Sequence, residues 1–296
     1  MRSALALLAA LSAACGNGAS GDGRTPLEIE RLGFLPATPP FPWVVQIGEP
    51  LVVDLFEVTR GEWLSYVGAE RLELEPSFRR YVQSWAAEGE SWPASFMTHA
   101  EAAAYASWRG MRLLSADEWL VCAAGISGRE FPWGNRVLLA ANTLDLRLGR
   151  PAPVGTFEAG RTPDLSCYDL LGNVAEWVAG SPRGQAPAYG GDERVTAMGG
   201  SFRSWARALV DARDGVFASR LSPGSRFDDV GLRCGAPAGE WLWRNAPDWR
   251  DDPETRRRLV AVGGRWGRAA LPLLEELASR PGAPRGLAAL AEGARQ

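Results

Sequence analysis

The pattern of apolar and polar positions changes character along the chain. Residues 47 to 58 alternate and then run apolar, which predicts a strand. A short helix is expected next, capped by Thr59 and carrying Trp63 and Tyr66 on one side. From residue 125 to residue 237 the chain is rich in glycine, proline, aspartate and aromatic residues, without a long periodic stretch. That region predicts short strands joined by long ordered loops.

Two further helices are predicted from capping boxes. Thr98 is followed three residues later by Glu101, and Ser115 is followed in the same way by Glu118. In such a box the hydroxyl accepts a hydrogen bond from the glutamate backbone N–H, and the carboxylate accepts one in return. Gly110 is expected to end the first of these helices.

Beyond Pro247 the pattern becomes helical. Asp252 can cap a helix that has Pro253 at its first position. A segment of about fifty residues is too small to be confidently stable alone, so we expect residues 247 to 296 to form a helical appendage packed on the main domain. A partial helical repeat is the alternative. The segments with helical periodicity are 254–262, 269–278 and 286–293.

The N-terminus has the features of an export signal. Arg2 is basic, and the apolar stretch that follows it is too short to span a bilayer. Small residues then precede Cys15, as in a bacterial lipoprotein signal, although Ser12 stands where such signals usually have leucine. The sequence therefore predicts an export signal over residues 1–15, ending at a lipidated Cys15. A secretory signal cleaved near Ala14 is the alternative.

The rest of the N-terminal region reads as a tether. Residues 16–30 begin with a run of glycine and small polar residues, which is typical of a flexible linker. A lipidated Cys15 would hold the protein on the bacterial cell envelope, with the lipid as its only contact with the membrane. With the alternative signal, the protein would be secreted or periplasmic and soluble.

Composition excludes several kinds of chemistry. The formal net charge is −3, which gives no indication of nucleic-acid binding. All 32 basic residues are arginine, so no lysine can form a Schiff base. His99 is the single histidine, which opposes an ordinary mononuclear zinc or iron site, and we expect it to be an exposed residue in the first turn of a helix. Besides Cys15 three cysteines remain, each in an apolar context that favours a buried thiol: Cys122, Cys167 and Cys234.

Eight short motifs occur in a fixed order between residues 50 and 236. Together they resemble the formylglycine-generating-enzyme, or sulfatase-modifying-factor, family. The resemblance implies an α+β, loop-rich fold of the C-type-lectin-like kind, which we assign to residues 31–246. The segments that carry it are Glu-Val-Thr at 57–59, Met-Thr-His-Ala-Glu-Ala at 97–102, Arg-Leu-Leu-Ser-Ala-Asp-Glu-Trp at 112–119, Phe-Pro-Trp-Gly-Asn at 131–135, Pro-Val-Gly-Thr-Phe at 153–157, Tyr-Asp-Leu-Leu-Gly-Asn-Val-Ala-Glu-Trp at 168–177, Gly-Gly-Ser-Phe at 199–202 and Gly-Leu-Arg-Cys at 231–234.

The chemistry of this family depends on two cysteines that follow the Gly-Gly-Ser motif. They hold copper during oxidation of a substrate cysteine to formylglycine, because paired thiolates suit the soft Cu(I) ion. Counting from Ser201, the two positions are Ser204 and Leu209 in this chain. A serine hydroxyl is a poor ligand for Cu(I), and leucine is none. Copper binding and sulfatase activation are therefore not expected, and we predict a protein that is not an enzyme.

The resemblance also implies a calcium loop that is intact here. The side chains of Asp169 and Glu176 and the carbonyl oxygens of Gly172 and Val174 would bind Ca²⁺. An all-oxygen set with two carboxylates suits a hard cation. The alternative is that Glu176 only accepts hydrogen bonds within its loop. A second family calcium site, with an asparagine matching Asn142, is interrupted because the segment after it is shortened.

The former active-site cleft is the expected binding surface. Arginines and an aromatic residue in a groove suit a peptide, a protein or an acidic glycan. The alternative is that these arginines pair with nearby aspartates, among them Asp228 and Asp229. The residues expected to line the cleft are Ser201, Arg203, Ser204, Trp205 and Arg207.

Three functional hypotheses remain open at the level of sequence. The first is an exported, non-catalytic binding or scaffold module that uses the cleft. The second is a formylglycine-generating oxidoreductase or related oxidase with a non-canonical site. The third is a structural lipoprotein of the envelope.

Overall fold

The computed structural model describes residues 28–38, 46–85, 89–180, 194–207, 219–248 and 252–296. Cys15, the predicted export signal, most of the predicted tether and Leu209 lie outside these ranges. Within them, no helix is both long enough and apolar enough to cross a membrane.

The described residues contain eight strands in two four-stranded sheets. The first sheet is antiparallel in the order β1-β2-β8-β3, and the second has the order β6-β5-β4-β7 with β4 and β7 parallel. Every residue of β1, β2, β4 and β7 is buried, because both faces of these strands are covered. The strands are β1 (Leu32–Leu35), β2 (Leu51–Asp54), β3 (Arg112–Leu113), β4 (Ala175–Val178), β5 (Val195–Met198), β6 (Ser219–Leu221), β7 (Val230–Leu232) and β8 (Cys234–Pro237).

Eight α-helices surround the sheets in the described part of the chain. They are α1 (Arg60–Ala69), α2 (Pro76–Ser84), α3 (His99–Trp108), α4 (Ala116–Ala124), α5 (Ala238–Asn245), α6 (Pro253–Trp266), α7 (Leu271–Ser279) and α8 (Arg285–Arg295). Short 3₁₀ turns occupy Glu28–Arg31, Leu144–Leu146, Glu158–Gly160 and Gly267–Ala269. The mixed architecture with C-terminal helices confirms the predicted fold class.

The structure confirms the helix starts predicted at Thr98 and Ser115. Thr98 and Ser115 cap α3 and α4, and in both boxes the hydroxyl and the glutamate are bonded reciprocally. Thr59 forms a third box with Glu62 at the start of α1. Helices α2 and α5 were not predicted, and the predicted strand 47–58 is shorter than expected. Its regular part covers only Leu51–Asp54.

One buried arginine joins the two sheets. Arg233 lies between β7 and β8, with its side chain fully buried beside Glu176 of β4. Its Nη2 atom donates to Glu176 Oε1 at 2.7 Å, and its Nε donates to Oε2 at 3.0 Å. Nη1 donates to the Asp54 carbonyl oxygen of β2 at 2.8 Å, and Nη2 also donates to the carbonyl of Tyr168 at 2.7 Å. The guanidinium therefore connects both sheets and the loop before β4.

The C-terminal helices share the core of the main domain. Trp266 of α6 lies on Phe34 of β1, with ring centroids 5.8 Å apart, and its indole N–H donates to the Leu32 carbonyl oxygen at 2.9 Å. Arg265 donates to the same carbonyl at 3.0 Å, and Arg258 forms an ion pair with Glu30. Helix α6 thus covers the edge of the first sheet, where an unpaired strand would otherwise be exposed.

Helices α6 and α8 approach each other closely at glycines. A Cβ atom added at Gly263 would lie 1.9 Å from the Leu290 carbonyl oxygen, and one at Gly293 would lie 1.9 Å from that of Val260. At the next position along α6, Gly264, the nearest atom to an added Cβ is 3.7 Å away. Gly263 therefore has no room for a side chain, whereas its neighbour Gly264 has room for a methyl group.

We predict that Gly263→Ala lowers the free energy of unfolding by about 1–3 kcal/mol, because the added methyl group forces α6 and α8 apart. The matched variant Gly264→Ala should raise it by up to about 1 kcal/mol, because alanine favours helix and the site has room. Denaturant unfolding of both variants beside the wild type measures the difference. Equal effects of the two substitutions would contradict the packing described here.

Candidate functional site

The cleft-lining segment is a tight turn that follows β5. The Ser201 backbone N–H donates to Ser204 Oγ at 3.1 Å, and the Ser204 N–H donates back to the Ser201 carbonyl at 2.9 Å. Ser201 is buried, and its hydroxyl donates to Asp229 Oδ2 at 2.8 Å. Both serines are therefore engaged within the fold. Ser204, which occupies the position of the first family cysteine, thus stabilises the turn through its side chain.

Arg203 is exposed but paired. Its guanidinium forms a two-pronged ion pair with Asp228, including a bond from Nη2 to Oδ2 at 2.8 Å, and Nη1 lies 3.7 Å from Asp229 Oδ1. The arginine also lies over the Phe202 ring, 4.6 Å from its centroid. Pairing with Asp228 lowers the pKa of that carboxyl, chiefly through the hydrogen bonds from Arg203. The alternative in which the cleft arginines pair with aspartates thus holds for Arg203.

An apolar groove lies beside this turn. Trp205 is 50% exposed, and the nearby loop exposes Val137 and Leu139 to 71% and 70%. The Ser204 carbonyl accepts from the Leu144 N–H at 2.9 Å, which ties this loop to the cleft segment. Contiguous exposed apolar side chains are typical of interaction sites. The groove is small, about 60 Å³, and its lining includes Phe131, Trp133, Val137, Leu138, Leu139, Ala206 and Arg207.

The predicted calcium loop forms part of a buried charge cluster. Glu57, which is fully buried, accepts from Asn173 Nδ2 at 2.6 Å and from the Val174 N–H at 2.9 Å. Burial raises its pKa, and the neighbouring carboxylates Asp169 and Glu176 raise it further. Burial raises the pKa of Asp169 to about 6, although the Gly155 N–H that it accepts at 2.7 Å opposes the shift.

One of the predicted calcium ligands, Glu176, already has hydrogen-bond partners within the protein. Both oxygens of Glu176 accept from Arg233, and Oε2 also accepts from the Trp119 indole N–H at 2.6 Å. Releasing this carboxylate to a metal would leave a buried guanidinium without its partner. Among the described residues, no group of three or more His, Cys, Asp or Glu side chains could hold a metal ion. Glu176 is therefore held by internal partners, and calcium binding at this loop stays a prediction.

The residue expected to belong to the interrupted second calcium site has a different environment. Asn142 is fully buried, and its Nδ2 donates to the Arg150 carbonyl oxygen and to Asn173 Oδ1, each at 3.0 Å. Its Oδ1 accepts no hydrogen bond from the described residues. A buried oxygen of this kind can accept from an ordered water molecule.

His99 was expected to be an exposed first-turn residue, and this expectation is wrong. The side chain is half-buried, with Nε2 3.0 Å from the Val178 carbonyl oxygen and the ring edge-on to Trp177. The three remaining cysteines are buried free thiols, as predicted, and burial raises the pKa of each: Cys122, Cys167 and Cys234.

We predict that Asp169→Asn stabilises the protein above about pH 6, because a buried charge is removed. A folded-state pKa of about 6, above the ordinary 3.8, means that the folded state holds this proton more tightly. The contribution of Asp169 to stability is thus most favourable below about pH 4 and is lost as pH rises through about 6. The variant should gain up to about 3 kcal/mol at about pH 8 and nothing at about pH 4.

Unfolding curves for wild type and Asp169→Asn at both pH values, with about 1 mM CaCl₂ or with EDTA, provide the measurement. The asparagine amide oxygen can still accept from the Gly155 N–H, so the variant removes charge and keeps the hydrogen bond. Indifference of both proteins to calcium is the expected result. Stabilisation of the wild type alone by calcium would contradict the geometry above and support the loop as a metal site.

The chain is similar in sequence to a known family of proteins. Residues 35–236 match the family model described as sulfatase-modifying factor enzyme 1-like domain. The mouse protein named inactive C-alpha-formylglycine-generating enzyme 2 is 33% identical over 164 residues, which cover 50% of this chain and 50% of that protein. Hercynine oxygenase of Mycobacterium tuberculosis is 34% identical over 146 residues, covering 38% and 33%. The chain thus spans about half the length, or less, of these relatives.

Solved structures show the same fold at low sequence identity. The structure of CarF superposes with a TM-score of 0.51 and 16% identity, covering 72% of this chain and 98% of that one. PvdO from Pseudomonas aeruginosa superposes with a TM-score of 0.51 and 22% identity, covering 69% and 91%. These likenesses show the fold, and the family-model match over residues 35–236 shows that the chain belongs to the family of sulfatase-modifying factor enzyme 1-like domains.

Proposed function

We propose that this protein is an exported, non-catalytic binding module that uses the surface around the former cleft. The observation that carries the proposal is the position of Ser204. Its hydroxyl accepts the Ser201 N–H inside a turn, where the family's chemistry requires a thiolate. The buried thiols of Cys122 and Cys167 cannot substitute, because burial strongly disfavours their ionised form.

The relatives support a role without catalysis. The mouse relative is named an inactive formylglycine-generating enzyme, and its similarity extends over half of this chain. The framework of the domain is nonetheless complete, with the Arg233–Glu176 ion pair fully buried. A fold that is retained after its chemistry has been lost is suited to binding.

The preferred ligand is a peptide that combines apolar and acidic side chains. Leu139 and Trp205 offer exposed apolar area beside the cleft. Arg136 and Arg147 lie on the same loop, and no described residue forms an ion pair with either. Guanidinium groups recognise carboxylates with two parallel hydrogen bonds. Apolar contacts and acidic partners therefore favour a peptide over an acidic glycan.

Export and anchoring follow from the N-terminal signal. Arg2, the apolar stretch and Cys15 support delivery to a bacterial envelope and lipidation of Cys15. A surface-anchored module would present its groove to peptides outside the membrane. Labelling cells with a radioactive fatty acid tests the anchor: wild type should be labelled, and Cys15→Ala should not.

We predict that the purified protein neither binds Cu(I) tightly nor converts a cysteine-containing peptide to formylglycine. Competition with a Cu(I) chelator measures the first, and mass spectrometry of the peptide with copper, reductant and oxygen measures the second. A catalytically active formylglycine-generating enzyme assayed in parallel is the control. Formation of the aldehyde by this protein would establish the oxidase hypothesis and overturn the proposal.

We predict that Leu139→Asp weakens binding of selected peptides at least about tenfold, because it places a charge in the apolar contact. Peptides would be selected on the full chain from a displayed random library and measured by calorimetry. Ile126→Asp is the matched control, since Ile126 is also an exposed aliphatic residue but does not line the groove. Equal loss in both variants, or selected peptides without acidic residues, would contradict the proposed site.

A further inference from the structure

A second pocket lies outside the cleft, and we propose that it binds one neutral pyranose unit of a saccharide. The pocket has a volume of about 300 Å³ and lies between the C-terminal end of α3, the end of β8 and helix α5. This size accommodates a single sugar ring. Trp108, Trp241, Glu240, Arg244 and Asn245 are among the residues that line it.

Trp108 provides a fixed aromatic surface. Its ring centroid lies 5.3 Å from that of Tyr66 and 6.1 Å from that of Tyr105, so buried neighbours hold it from within the core. The residue is nevertheless 41% exposed and lines the pocket. A large aromatic side chain fixed in this way gives contact area at little cost in conformational entropy. The C–H groups on one face of a pyranose supply the matching apolar surface.

Trp241 contributes a polar group that the fold leaves without a partner. The residue is only 3% exposed, it lines the pocket, and its Nε1–H has no hydrogen-bond acceptor among the described residues. A buried donor without an acceptor destabilises the folded protein. Buried tryptophan N–H groups usually have a partner. The N–H itself is buried, so a sugar hydroxyl would supply its acceptor only after a local shift of the pocket wall.

The remaining polar groups suit a neutral ligand with many hydroxyls. Glu240 and Arg244 form an ion pair one helical turn apart, and both stay exposed. Together they offer acceptors and donors beside the pocket. Arg109 is already bound by Glu28 and Asp54. Both arginines among the described lining residues have a carboxylate partner, so neither offers an unpaired cation that would favour a phosphate or sulfate.

The pocket is separate from the proposed peptide groove. No residue lines both. The saccharide site therefore does not rest on the proposed function, and the two can fail independently.

Saturation-transfer NMR on the full chain tests the site with free glucose, galactose, mannose and N-acetylglucosamine. We expect transfer to the C–H protons of at least one sugar. Trp108→Ala should raise its dissociation constant about tenfold or more by removing the aromatic contact. Glu240→Gln should raise it about threefold to tenfold, because a charged acceptor becomes neutral. Trp205→Ala, which removes an exposed tryptophan that does not line this pocket, is the matched control and should leave it unchanged.

Thermal unfolding of each variant checks that the fold persists. Glu240 is exposed, so its substitution keeps the test valid even if Trp108→Ala reduces stability. Three results would overturn the proposal: no transfer to any of the four sugars, unchanged transfer in both pocket variants, or displacement of the sugar by free amino acids. The first would mean that the pocket holds only water.

Discussion

The buried ion pair between Arg233 and Glu176 is the interaction on which the rest of the structure depends. Arg233 also donates to main-chain carbonyls of Asp54 and Tyr168, so one guanidinium meets both sheets and a connecting loop. Each of the three guanidinium nitrogens donates at least one hydrogen bond, and such bonds are what make a buried ion pair tolerable. Removing either partner leaves an uncompensated buried charge, at a cost of about 3–5 kcal/mol. The pair therefore fixes how the two sheets are placed.

The same pair determines the electrostatics of the loop beside it. Glu57, Asp169 and Glu176 are three buried carboxyl groups near a single guanidinium. Burial raises the pKa values of Glu57 and Asp169 and leaves an excess of buried negative charge, which Arg233, bonded directly to Glu176, offsets only in part. Protonation of Asp169 near pH 6 relieves this imbalance without a metal ion. Glu176, which the sequence predicts as a calcium ligand, is bonded in this structure to Arg233.

The helix starts could be predicted because their causes are local. The capping boxes at Thr98 and Ser115 each need only residues three positions apart, and both formed as expected. The Arg233–Glu176 pair joins residues 57 positions apart, and periodicity carries no information on such a contact. Motif resemblance gave the family and the approximate position of the cleft. It did not show that Ser201 and Ser204 bond to each other, since that depends on the path of the backbone.

These features explain how the fold accommodates a serine at position 204. The interactions that hold the sheets together involve Arg233 and its partners, none of which lies in the turn at Ser204. A serine at that position loses a copper ligand but gains a hydrogen bond within the turn. The residues that join the two sheets are therefore separate from the turn at Ser204. The groove beside Trp205 and the pocket beside Trp108 lie outside these core interactions. Substitutions there would change binding with little effect on folding.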